Sequence, residues 1–205
     1  MATGRDRFAA ITGVSHETLR RFDSYTALLT EWNQKINLVS PSTLADMWER
    51  HFLDSAQLAK YMPDYPVKVA DFGSGAGFPG MVLAVLRVGG VHLIESDQRK
   101  SAFLREVSRV TDSSNSVVHA RRVEEVDPLG VDIVTSRALA PLEKLLPLVL
   151  RHLKPGGHCL FLKGAEAAKE VELARKTCSF EVETFPSLTS GEGVVLKISQ
   201  IRSLP

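Results

Sequence analysis

The segment from Val69 to Gly80 constrains the fold of this chain more than any other. It reads Val-Ala-Asp-Phe-Gly-Ser-Gly-Ala-Gly-Phe-Pro-Gly, an apolar run that ends in the acidic Asp71 and continues into four glycines. Glycine reaches backbone conformations closed to other residues and lets a ligand approach the main chain. A strand-like run precedes the glycines and a helix-like run follows them, as a nucleotide-binding βαβ unit requires. The segment is therefore predicted to be a cofactor loop at the end of a buried strand.

The spacing of the glycines narrows the choice of cofactor. A dinucleotide fingerprint, G-x-G-x-x-G, starts directly after its strand, and counting from Gly73 puts Phe78 at the third glycine position. A later match leaves Pro79, which has no N–H for a pyrophosphate, at the start of the helix. Acidic-x-Gly-x-Gly-x-Gly is instead typical of S-adenosylmethionine-dependent methyltransferases. We therefore predict S-adenosylmethionine as the cofactor, with an NAD-linked oxidoreductase as the alternative. The loop residues predicted to bind it are Asp71, Gly73, Gly75 and Gly77.

Length and composition set the broad class of the protein. A chain of 205 residues with 44% hydrophobic content is long enough for one α/β domain and a small accessory part. A formal charge of +1 argues against binding nucleic acid through bulk charge, although not against a local basic face. The two cysteines have no metal-binding spacing, and the sequence shows neither a signal-peptide core nor a bilayer-spanning run. We expect a cytoplasmic protein with no metal site, no membrane association and no obligate protein partner.

The order of helical and strand patterns predicts an α/β fold. Helices predicted from Ser15 to Asn37 and from Leu44 to Met62 form an N-terminal helical cap over residues 1–66. Residues 67–205 alternate strands with helices, which indicates a mainly parallel sheet. The last two strands are joined by a loop too short for a parallel crossover, so the final strand is predicted to be antiparallel. This is the Rossmann-like arrangement of class I methyltransferases. The predicted strands are 67–72, 91–95, 116–119, 131–136, 158–163, 180–185 and 194–201.

Residues that close the predicted strands are the next candidates, because ligands in such sheets bind beyond the carboxyl ends of the strands. Glu95 closes the second strand about twenty residues after the glycine loop, where a carboxylate accepts hydrogen bonds from ribose hydroxyls. The alternative is that it caps the next helix, and Asp97 competes for either role. After the third strand, Val123 and the backbone of Glu124 are predicted to lie near the adenine. The alternative there is a solvated turn.

The polar groups near the later strands suggest an anionic acceptor. Arg137 ends the fourth strand, in a place where neither an amine-methylating motif nor a Pro-Cys nucleophile is found. Lys163 ends the fifth strand, and Arg99 and Lys100 begin a basic helix, although such cations are often merely solvated. Without an evident base, catalysis would rest on in-line alignment, with Arg137 positioning the acceptor. Guanine N7 has a free lone pair and permits this chemistry, but the sequence does not demand that acceptor.

His51 and Asp54 lie three residues apart on a predicted helix and therefore share a face. Taken alone, this spacing describes an ordinary surface pair as well as a site. The same holds for Asn33 and Asn37.

A set of matching motifs lies at residues 32–33, 37–38, 50–51, 54–55, 71–80, 95–96, 99–100, 103–104, 122–125, 136–138 and 162–164. With these motifs the chain resembles the bacterial 16S rRNA guanine-N7 methyltransferases known as the glucose-inhibited division protein B family. The resemblance spans most of the chain. It implies methylation of N7 of one guanosine in the decoding-region loop of 16S rRNA, with S-adenosylmethionine as methyl donor and the rRNA or small ribosomal subunit as partner. The other possibilities are a small-molecule methyltransferase and a non-catalytic RNA-binding protein of the same fold.

The resemblance also implies roles for individual residues. It places Glu95 on the cofactor ribose, and two positions depart from the family pattern: Val39 stands where threonine is common, and Gly193 where arginine is frequent. The residues implied to contact the cofactor are Gly73, Phe78, Val123, Glu124 and Arg137. Those implied to form the wall of the acceptor site are Asn33, Asn37, His51 and Asp54.

Overall fold

The computed structural model describes residues 3–204 of the chain. Its N-terminal region begins with two helices. Helix α1 (Gly4–Thr12) was not predicted. Helix α2 (His16–Asn33) has Ser15 as its N-cap, as expected, and buries one apolar face. The prediction that this helix reaches Asn37 is wrong. It ends at Asn33, because the side-chain oxygen of Asn33 accepts hydrogen bonds from the backbone N–H groups of Leu38 and Val39, at 2.9 and 3.0 Å, and turns the chain.

The prediction of one continuous helix from Leu44 to Met62 is also wrong. The chain forms a short helix α3 (Pro41–Leu44), a π-turn (Trp48–Leu53), helix α4 (Asp54–Ala56) and a 3₁₀ turn (Gln57–Tyr61). In the π-turn the N–H of Asp54 bonds to the carbonyl of Glu49, one residue earlier than the Arg50 carbonyl that an α-helix would use. Such turns are frequent at functional sites.

The core is a seven-stranded sheet with the order β3-β2-β1-β4-β5-β7-β6. All neighbouring strands are parallel except that β7 is antiparallel to both β5 and β6. The predicted fold class, with its single antiparallel strand after a short loop, is confirmed. The strands are β1 (Val67–Phe72), β2 (Gly89–Ile94), β3 (Ser116–His119), β4 (Val131–Arg137), β5 (Leu153–Lys163), β6 (Cys178–Pro186) and β7 (Val194–Ser203).

Helices cover both faces of the sheet in two separate hydrophobic clusters. One cluster joins the N-terminal helices to α5 and α6, with the rings of Phe22 and Phe52 tilted by 52° and their centroids 4.9 Å apart. The other packs α7 and α8 on the opposite face. Among residues 3–204, no helix is long and apolar enough to cross a membrane. The core helices are α5 (Gly80–Val85), α6 (Gln98–Val110), α7 (Leu142–His152) and α8 (Ala167–Ala174), with a 3₁₀ turn at Val123–Glu125.

Candidate active site

The glycine loop follows β1, at the carboxyl edge of the sheet. Gly73, Gly75 and Gly77 take left-handed backbone conformations, with φ of +55° at Gly75 and +95° at Gly77. A Cβ at Gly77 would collide with the hydroxyl of Tyr25, whereas a Cβ at Gly75 would meet nothing closer than 3.8 Å. The loop therefore packs against the protein at Gly77 and is open for an approaching ligand at Gly75.

Asp71 lies at the root of this loop and is completely buried. Its Oδ1 accepts a hydrogen bond from the hydroxyl of Thr135 at 2.9 Å, while no partner for Oδ2 is found among residues 3–204. Burial raises the pKa of this carboxyl group to about 6. Asp71 thus ties β1 to β4 beneath the loop. Its direct contact with a cofactor stays a prediction.

Glu95 stands opposite the glycine loop, at the end of β2. Its Oε2 accepts the N–H of Gly75 at 2.8 Å, and its Oε1 accepts the N–H of Asp97 at 2.8 Å. A carboxylate oxygen has room for a second hydrogen bond, so both oxygens are oriented yet still able to accept from a ribose diol. Asp97, in contrast, caps α6 by accepting from the N–H groups of Arg99 and Lys100. The two acids compared from the sequence therefore have different positions, and the contact of Glu95 with the cofactor ribose stays a prediction.

The 3₁₀ turn after β3 is the predicted adenine contact. Val123 is buried and Glu124 is exposed. The carbonyl of Val123 lies 3.2 Å from Nε2 of the buried His152. This contact fixes the turn, and the adenine role of Val123 and Glu124 stays a prediction.

Arg137 contacts four other residues of the site. Its Nη1 donates to the carbonyl of Arg50 at 3.1 Å and lies 3.4 Å from Oδ2 of Asp54. Its Nη2 donates to Nδ1 of His51 at 3.1 Å. The guanidinium carbon also lies 5.0 Å from the centroid of the Phe78 ring, within cation–π range. Since the π-turn removes the Asp54 N–H from the Arg50 carbonyl, this oxygen is available to Arg137. The structure thus brings together Arg137, His51, Asp54 and Phe78.

His51 is neutral in this arrangement. Burial, reinforced by the cations Arg137 and Arg50, lowers its pKa to about 3. Because the guanidinium donates to Nδ1, the ring proton must be on Nε2, which then donates to the hydroxyl of Thr43 at 2.9 Å. The ring also stacks on Phe78, with centroids 4.8 Å apart. Both ring nitrogens are hydrogen-bonded, so His51 orients Arg137 and is not a free base.

Asp54 lies beside Arg137, where the wall of the methyl-acceptor site was predicted. Its Oδ1 accepts from the hydroxyl of Thr189 at 2.7 Å and from the amide of Gln57 at 2.9 Å. Thr189 belongs to the loop between β6 and β7. Asp54 and Thr189 line a cleft of about 760 Å³ that opens beside Arg137. Val39 and Gly193, where the chain departs from the family pattern, also line this cleft.

Lys163 lies at the edge of the cleft but is already paired. Its Nζ donates to the carbonyl of Ala140 at 2.9 Å and to Glu170 at 2.7 Å, and its side chain is only 8% exposed. Glu170 also accepts the N–H of Leu142 at the start of α7, at 2.9 Å. The pair therefore holds the segment 138–141 in place. Within this segment Leu139 packs so closely on Gly73 that a Cβ on Gly73 would lie 2.6 Å from the Leu139 side chain. Lys163 supports the site instead of offering a free cation.

The other predicted acceptor residues do not line the cleft. The side chain of Asn33 is used to turn the backbone, and Asn37 is exposed. Arg99 and Lys100 lie at the start of α6, with Arg99 largely exposed. Sequence reasoning missed Thr43 and Thr189, which hold His51 and Asp54. The hydroxyl-rich segments 40–43 and 187–190 were the only signal for them.

Comparison with known proteins gives the family. The family model described as rRNA small subunit methyltransferase G matches residues 18–195. Two proteins named Ribosomal RNA small subunit methyltransferase G are close relatives. That of Rhodospirillum centenum is 55% identical, over 95% of this chain and 89% of its own length. That of Paramagnetospirillum magneticum is 48% identical, over 97% and 96%. The chain belongs to this methyltransferase family.

Solved structures agree at the level of the fold. A SAM-dependent methyltransferase from Aquifex aeolicus superposes with a TM-score of 0.59 at 17% identity, covering 84% of this chain and 97% of that one. TYW2 from M. jannaschii in complex with AdoMet gives 0.57 at 15% identity, covering 83% and 80%. These similarities confirm the class I methyltransferase fold.

Proposed function

We propose that this chain transfers the methyl group of S-adenosylmethionine to N7 of one guanosine in the decoding-region loop of 16S rRNA. Family membership and fold support the methyltransferase activity and the rRNA substrate. The ribosomal substrate implies that the chain works in the cytoplasm. The fold argues against an NAD-linked oxidoreductase, because the antiparallel β7 departs from the classical dinucleotide-binding arrangement.

The observation that carries the choice of N7 is the bonding of His51 to Arg137. The candidate base beside the cleft has both ring nitrogens occupied and a pKa of about 3. An acceptor that must lose a proton during methyl transfer is poorly served by such a site. Guanine N7 has a lone pair and no proton, so alignment alone is sufficient.

The bound cofactor would supply an electrophilic methyl group on a sulfonium. Transfer of this methyl group to the N7 lone pair would require no removal of a proton, so the residues of the site would need only to align the two partners. Gly75 and Glu95 would hold the nucleoside part. Arg137 would donate to the guanine edge or to a neighbouring phosphate. Asp54, 3.4 Å from Arg137, offsets the guanidinium charge that would otherwise oppose a cationic purine.

The helices before residue 67 and the sheet after it form one functional unit in this proposal. His51 and Asp54 come from the former, and Arg137 from the latter. The helical cap would therefore be part of the active site.

The test is transfer of labelled methyl from S-adenosylmethionine to small subunits, and separately to deproteinised 16S rRNA, from a strain lacking this modification. Mass spectrometry then maps the modified nucleotide. We expect one 7-methylguanosine in the decoding-region loop. Arg137→Ala should remove the label, while the exposed Arg99→Ala serves as the cation control. Absence of label from 16S rRNA in both forms would refute the proposal, and label in a small molecule alone would indicate a different methyltransferase.

A further inference from the structure

Tyr25 on α2 reaches from the N-terminal helices into the glycine loop. The residue is completely buried. Its hydroxyl donates to the carbonyl of Ala76, in the middle of the loop. This contact joins residues separated by more than fifty positions in the sequence.

The Tyr25 ring also stacks on Phe78. The two rings are nearly parallel, at 11°, with centroids 5.7 Å apart. Phe78 in turn stacks on His51 at 4.8 Å and lies beneath the Arg137 guanidinium at 5.0 Å. Tyr25 is therefore the innermost member of a stack that continues to the residues beside the cleft.

The Tyr25 hydroxyl also occupies the space that a side chain at Gly77 would need. The backbone at Gly77 has φ of +95°, a conformation that few other residues adopt. Within the loop, the N–H of Gly77 donates to the carbonyl of Ser74 at 2.7 Å. The loop conformation at residues 76–78 is thus fixed from outside by one hydroxyl and one ring.

We propose that Tyr25 is a positioning residue for cofactor binding: its hydroxyl fixes residues 76–78, so that the loop amides and Glu95 are arranged before S-adenosylmethionine arrives. This inference rests on the proposed use of S-adenosylmethionine. A loop held in its binding conformation loses less entropy on binding. Tyr25 touches no reacting atom in this account.

The test compares Tyr25→Phe, which keeps the ring and removes the hydroxyl, with two controls. Tyr61→Phe makes the same chemical change at a ring that stacks on Phe185, away from the loop. Val149→Ala removes buried volume from α7 on the opposite face of the sheet, so it controls for a general loss of stability. For each protein, calorimetry measures the dissociation constant of S-adenosylmethionine. Hydrogen exchange measures the protection of residues 73–81 without cofactor.

We expect Tyr25→Phe to weaken S-adenosylmethionine binding by about 3- to 10-fold, the effect of one net hydrogen bond. Exchange of residues 73–81 should accelerate in this variant alone, and the rate at saturating cofactor should stay within about twofold of wild type. Unchanged affinity and unchanged exchange in Tyr25→Phe would overturn the inference. Equal loss of affinity in Val149→Ala would also overturn it, by showing a general effect of stability. If the wild type bound no S-adenosylmethionine, the proposed function would fail instead, and the exchange data would still decide whether Tyr25 orders the loop.

Discussion

Arg137 and His51 are joined by a hydrogen bond of 3.1 Å that fixes the protonation of the imidazole. The arginine has no lone pair to offer, so the histidine must accept, and its proton is held on the side of Thr43. The histidine in turn fixes the plane of the guanidinium. Neither side chain can change alone without releasing the other.

Replacing Arg137 by lysine tests this mutual arrangement. An ammonium retains the charge but lacks the planar fork that contacts the Arg50 carbonyl, His51 and Asp54 together. We expect kcat/KM for methyl transfer to the small subunit to fall about 100-fold, as for other losses of alignment. Thermal unfolding of the variant provides the control. Turnover near that of wild type would remove Arg137 from the site.

The pH dependence of stability should report on buried His51. Its folded pKa of about 3 lies below the unfolded value near 6.5, so the unfolded chain takes up the proton first as the pH falls. The free energy of unfolding therefore decreases as the pH falls below about 6.5. His51→Gln offers an uncharged acceptor and donor in similar positions. From pH 7 to pH 5 we expect wild type to lose about 2 kcal/mol more than this variant.

Urea titrations at both pH values measure this difference. The comparison with His51→Gln separates His51 from the four other histidines whose pKa is also lowered by burial, His92, His119, His152 and His158. Equal losses in the two proteins would show that folding does not lower the pKa of His51.

Lys163→Met should destabilise the segment 138–141. The variant removes the ammonium from Ala140 and leaves Glu170, 22% exposed, without its cation. We expect the free energy of unfolding to fall by about 1–3 kcal/mol, measured by denaturant titration. Lys169→Met is the matched control, because its pair with Glu166 is 72% exposed on both sides and should be worth less than about 0.5 kcal/mol. Equal effects of the two substitutions would contradict the structural role of Lys163.

Glu95→Gln separates the two acids near the second strand. The amide has one acceptor in place of two and presents N–H donors to the backbone N–H of Gly75 or Asp97. We expect S-adenosylmethionine affinity, measured by calorimetry, to fall about 10- to 100-fold. Asp97→Asn makes the same change of charge but keeps a good N-cap, so its affinity should stay near wild type. The reverse order would assign the ribose to Asp97.

The sheet was predictable because its determinants are local. Alternating patterns and the short loop at 187–193 were enough to predict seven strands and an antiparallel β7. The π-turn was not, because the apolar spacing around Trp48 and Phe52 is compatible with an α-helix. The bonding of Asn33 and Lys163 to groups of the protein was not predictable for a related reason. A polar side chain committed to a backbone group or a buried partner has the same sequence appearance as one free to bind a ligand.

Phe78 is the ring on which Tyr25, His51 and Arg137 all pack, although these three residues come from different parts of the chain. A change in the size of this ring would have to be matched at three distant positions together. These four residues should therefore be substituted together during evolution or not at all. An alignment of diverged relatives in which Phe78 varies should show its three neighbours varying in step.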